Sequence, residues 1–149
     1  MSTISTTASS ERNRLRRFVV PTGLVTAAVS SVFTFLGAHS RVEYVSMIAR
    51  ALVTTAVVYG WVAPRALEED AAPKTAMAMS VVAALTALPA YWTGLPLVLG
   101  AAGALVGYGG RGAARGSGLS ITAMLIGALS VLGYLTIYIV DGLVFGNTL

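Results

Sequence analysis

Few side chains in this chain are of a type that does chemistry, and the best-defined group of them gathers around two stretches of sequence. Arg50, Asp141, Glu43 and Tyr138, with His39 and Arg41 near them, would suit an ion pair, an anionic headgroup or a small polar solute. Ser46, Arg50 and Thr54 recur every four residues and therefore share one helix face. Gly127, Ser130, Tyr134, Tyr138 and Asp141 mark another roughly common face. Arg50 interrupts an apolar run, and a charge inside a bilayer is costly, which makes it a functional candidate. Its long stem also lets the guanidinium reach lipid headgroups, or pair with Glu43 or Asp141. His39 reads as a solvated loop residue.

Three further patterns stand out. Thr22, Thr26, Ser30 and Thr34 form a hydroxyl stripe at a spacing of four, which suits either a narrow polar path or a helix-packing face. Gly100, Gly103 and Gly107 in one apolar run, with Ala123 and Gly127 in the next, carry the small-residue spacing of closely packed membrane helices. That pattern predicts contact between those two helices, or self-association through one of them. The loop from Arg111 to Gly118 mixes glycine and arginine ahead of a helix, but the Gly-Lys-Ser/Thr of a phosphate-binding loop is absent, so it reads as an orienting turn.

Other chemistries find no residues. With no cysteine there is no disulfide, no thiolate nucleophile and no cysteine-bound zinc. One histidine cannot supply bis-histidine haem ligation or a histidine-rich metal site. No apolar run holds paired carboxylates, and no Ser-His-Asp set is credible. The expectation is a protein that is not an enzyme and carries no cofactor.

The elements that would position these residues are unusually apolar. Hydrophobic residues make up 56% of the 149 and charged residues 11%, against roughly 25% charged in an average soluble protein. Residues 1–17 read as a disordered tail, polar at first and then basic through Arg12, Arg14, Arg16 and Arg17. A signal peptide is disfavoured, because the apolar run that follows is long and Leu36-Gly37-Ala38 makes a poor cleavage site. A nucleic-acid role for the basic tail is disfavoured too, because a membrane-length apolar run follows at once and no nucleic-acid-binding motif is present.

Five spans are expected, at about 18–38, 45–63, 75–92, 95–110 and 119–140, with Pro64 closing the second. The run from Thr75 to Gly110 is too long for a single crossing: 36 residues at 1.5 Å each make about 54 Å, against a hydrocarbon core of roughly 30 Å. Pro89, Gly94 and Pro96 around Tyr91-Trp92 divide it, with the turn at Thr93-Gly94.

Charge sets the expected orientation. With five spans and a cytoplasmic N-terminus, the tail arginines, Arg65, Lys74, Arg111 and Arg115 face the cytoplasm, leaving Arg41 and Arg50 outside. A four-span alternative would put Arg111 and Arg115 outside and weaken that bias. The sequence thus predicts an all-α, polytopic transmembrane helical bundle of the cell (inner) membrane. Its expected partners are the lipid bilayer and another membrane protein or a second copy of itself. The leading expectation for function is a non-enzymatic accessory or scaffold subunit acting through helix packing. The alternative is a small oligomeric transporter or channel for a polar or anionic solute.

Overall fold

The computed structural model describes residues 3–37, 41–68, 71–111 and 116–144. His39, Glu69, Asp70 and Arg115 lie outside the described residues. Every element is helical: α1 (Thr3–Gly37), α2 (Arg41–Val57), a π-helical turn (Val58–Val62), α3 (Ala63–Glu68), α4 (Ala72–Thr86), a 3₁₀ turn (Tyr91–Thr93), α5 (Leu95–Gly110) and α6 (Ser117–Val144). The all-α class expected from the sequence is what the structure has, with no strand among the described residues.

Several boundaries differ from expectation. The segment expected to be disordered up to residue 17 is helical from Thr3 onward. Residues 1–17 hold no proline or glycine, and extending a helix already nucleated downstream requires far less than starting one. Pro64 does not end the second helix, which continues through it to Glu68. A proline lacks the N–H for an i−4 bond and its ring crowds that carbonyl. The π turn immediately before it widens the coil by one residue, and the Ala63 N–H bonds to the Val58 carbonyl five residues back. The third helix stops at Thr86 rather than near Trp92, because Pro89 disfavours helical geometry at the residue before it. The reversal therefore spans residues 87–94 and closes on Gly94, whose φ of +71° is open to glycine at little cost. Helix α5 covers Leu95–Gly110, as the composition suggested.

Contacts at the helix ends give the direction of each rod. At one end, a Cβ built on Gly109 would touch Leu67 of α3 and Leu15 of α1, and one built on Gly116 would touch Pro73 of α4. At the other end, Gly94 meets Ser30 of α1 and Ala51 of α2, and Tyr91 meets Tyr138 of α6. The helical rods α1, α2–α3, α4, α5 and α6 thus alternate in direction. Helix α5 is the central one, packed against α1, α2, α3, α4 and α6. Val98, Ala102 and Val106 along it are fully enclosed.

The outside of the bundle is apolar. Leu24 and Val25 on α1, Val42, Val45 and Val53 on α2, Leu85 on α4, and Leu125, Leu129 and Leu132 on α6 are all exposed. Arg41–Leu67 and Ser117–Asp141 are long and apolar enough to cross a membrane, yet only 17% and 22% of their most apolar windows are buried. The core helix of a water-soluble protein would hide most of that surface.

Candidate functional site

Two hydroxyls of the α1 stripe, Thr26 and Ser30, face inward, and Thr22 is half-buried. Thr26 is 5% exposed and Ser30 is fully enclosed. Thr26 donates to the Thr22 carbonyl at 2.6 Å, the backbone bond common for a hydroxyl inside a helix. Its Oγ1 also lies 3.3 Å from the Tyr59 hydroxyl, which is within 3.3 Å of the Val98 carbonyl as well. A hydroxyl has one proton to give, and that of Thr26 is held by Thr22. Tyr59 is therefore the donor, shared between Thr26 and Val98. This seam ties α1, the π turn and α5 together. Thr55, four residues before Tyr59, has a buried hydroxyl without a hydrogen-bond partner. Tyr59 was not legible as a site residue, because the residues around it are apolar on every side and do not mark the face of Ala51, Thr55 and Tyr59 as the inward one.

A second junction lies where α4, α5 and α6 converge. A Cβ on Gly100 would fall 2.9 Å from the Gly127 carbonyl, and one on Gly107 would fall 2.7 Å from the Ser120 carbonyl. Gly103 leaves the space that Ser80 of α4 occupies, and Ser80 donates to the Ala123 carbonyl at 2.7 Å. Ala123 is fully buried at the contact. Ser80 escaped the sequence reading, although a lone serine in the apolar run from Ala76 to Leu85 was a usable signal.

The charged cluster near the other helix ends is not assembled into one site. Arg50 is exposed on α2. Its neighbour Ala51 lies against Gly94, which puts Arg50 level with the α4–α5 turn rather than at mid-bundle. Asp141 is half-buried on α6, and no ion pair joins the two among the described residues. Helix α2 packs on α1 and α5, whereas α6 packs on α4 and α5, so the residues ride on different sides of the bundle. Glu43 is half-buried on α2, and its backbone carbonyl accepts from Ser46 at 2.9 Å. Tyr138 is instead the hub of an aromatic cluster, with ring centroids 5.1 Å from Phe33, 4.9 Å from Tyr134 and 5.7 Å from Tyr91. These tilted and edge-on contacts bind α1, the 3₁₀ turn and α6 to one another.

At the opposite end, two arginines lie over aromatic rings. The Arg65 guanidinium carbon is 5.0 Å from the Trp61 ring centroid, and that of Arg111 is 3.5 Å from the Tyr108 centroid. Beside the first pair, an open cavity of about 220 Å³ lies between α3 and α4, lined by Trp61, Val62, Arg65, Ala66, Ala71 and Thr75. No group of three or more metal-ligating side chains occurs among the described residues. Comparison of the chain with protein-family profiles, curated proteins and solved structures finds no match.

Proposed function

We propose that this chain is a five-span protein of the cell (inner) membrane with its N-terminus in the cytoplasm, serving as a non-enzymatic accessory or scaffold subunit. The observation that carries this reading is the distribution of side chains: apolar residues cover the outside, while the hydroxyls of Thr26, Ser30, Tyr59 and Ser80 are turned inward. Lipid provides no hydrophobic drive between helices, so such a bundle is held by close packing and interior hydrogen bonds. Helices α4 and α5, at 15 and 16 residues, reach about 22–24 Å, and the bilayer thins or the neighbouring helices tilt to match them.

Helix α2 offers a surface for another membrane helix. Ala49 and Ala56 on it, and Gly60 in the π turn that continues it, are exposed, and nothing lies within 4 Å of a Cβ built on Gly60. Small residues admit the close approach of a second backbone. Purification in mild detergent with mass measurement tests the scaffold role. The expected result is a complex larger than one chain, reduced to the single chain by Ala56→Leu without loss of helicity. A wild-type protein that is always a bare monomer refutes it.

One observation favours the transporter alternative, namely the unpartnered Thr55 hydroxyl on the same inward face as Tyr59. Solute flux into liposomes that Thr55→Val abolishes would establish that reading in place of the scaffold.

A further inference from the structure

We propose that the cavity between α3 and α4 holds the phosphate of a phospholipid headgroup from the cytoplasmic leaflet, with Arg65 as the cation that contacts it. The proposal rests on the membrane reading above and adds a ligand to it. Three observations converge.

The first is the cavity's size and lining. At about 220 Å³ it is smaller than the roughly 300–1,000 Å³ of sites that enclose a whole small molecule, and it is open on one side. It suits a group that enters while the rest of its molecule stays outside, as a headgroup does when its acyl chains remain in the bilayer. Val62, Ala66 and Ala71 give the walls an apolar character that glycerol and upper acyl carbons tolerate.

The second is the state of Arg65. Its guanidinium is exposed, rests on the Trp61 ring and has no ion pair among the described residues. Stacking on an aromatic face leaves the planar fork of N–H donors free at its edge, the geometry that grips phosphate with two parallel bonds. Thr75 on the facing helix adds a hydroxyl at the cavity wall.

The third is depth. Trp61 is 59% exposed on an apolar exterior. Tryptophan favours the headgroup level of a bilayer. Arg111 over Tyr108 repeats the arrangement at the same end of the bundle.

The segment from Pro64 to Lys74 carries Arg65 and Lys74 against Glu68, Glu69 and Asp70, a formal charge of −1. A diffuse positive field therefore cannot draw an anion here, and recognition depends on the Arg65 contact itself. This separates the proposal from general attraction to basic residues.

The full chain in detergent, titrated with phosphatidylglycerol and followed by native mass spectrometry, provides the test. The expected result is one tightly retained lipid, with Arg65→Gln, whose amide keeps one donor and loses the second, charge-assisted bond, weakening its binding about tenfold. Arg65→Lys is expected to weaken it as well, because a point charge does not replace the fork, and Thr75→Val to weaken it less. Lys74→Gln should leave it unchanged. Helicity by circular dichroism is read on every variant. Equal lipid retention by wild type, Arg65→Gln and Thr75→Val overturns the proposal, as does displacement of the lipid by excess inorganic phosphate, which would mark a free-phosphate site. Failure of the membrane reading has a different signature: the wild-type chain would stay folded in buffer with no amphiphile.

Discussion

Two hydroxyls, Tyr59 and Ser80, reach backbone carbonyls on other helices, at 3.3 Å and 2.7 Å. Within a membrane such bonds average about 0.6 kcal/mol and reach about 1.7, because the separated helices find other partners. Tyr59→Phe and Ser80→Ala are therefore each expected to lower stability by about 0.6–1.7 kcal/mol, read as a shift in unfolding by denaturant in detergent. Shape matters more at the glycines. Gly107→Ala puts a methyl 2.7 Å from the Ser120 carbonyl, on backbone that cannot simply rotate away. Overpacking of this kind costs about 1–3 kcal/mol. Gly133→Ala, where nothing lies within 4 Å of the added carbon, is expected to be neutral or to stabilise by up to about 1 kcal/mol through helix propensity. The two variants share one chemical change inside a helix and differ in what the added carbon meets, so a difference between them in the same unfolding assay isolates close approach as the cause.

At the level of elements, the π turn links Pro64 to the buried seam. Without the proline, nothing at residue 64 forbids the bond to the carbonyl four residues back, and the turn can relax to ordinary α geometry. One residue fewer in the widened coil rotates residues beyond the turn, Arg65 among them, by up to about 100° relative to those before it, and shifts Trp61 within the turn. Pro64→Ala is expected to shift the emission of Trp61, measured with Trp92→Phe as background so that a single indole reports. An unchanged spectrum would mean that packing around Tyr59, rather than the proline, holds the turn. The α4–α5 hairpin works by the opposite rule. There Pro89 has no widened turn ahead of it, and the helix simply stops at Thr86.

For the whole molecule, the alternation of rods brings Arg17, Arg65, Lys74 and Arg111 to one end of the bundle, leaving Arg41 and Arg50 towards the other. On the proposed membrane reading, a positive cytoplasmic side predicts an N-terminus inside. Because the chain has no cysteine, Gly112→Cys supplies a unique label. In intact cells it is expected to resist a membrane-impermeant thiol reagent and to react after permeabilisation; labelling from outside would favour four spans.

Much of this arrangement could be read from the residues alone. The long apolar runs, the break near Pro89 and Gly94, the extent of α5 and the glycine spacing on α5 and α6 are local properties, each written in adjacent or regularly spaced side chains. What local pattern could not supply was the inward direction of each helix. In water, the apolar face is the buried one and the pattern announces it. Here interior and exterior are both apolar, so hydropathy is nearly blind to orientation. Packing decided it instead, by size and by unmet hydrogen bonds. Small residues and hydroxyls turned inward, Ser80 found the gap at Gly103, and Tyr59 met Thr26 across the seam. Arg50 and Asp141, plausible partners by sequence, were placed apart because α2 and α6 pack against different neighbours, and no one-dimensional pattern encodes that.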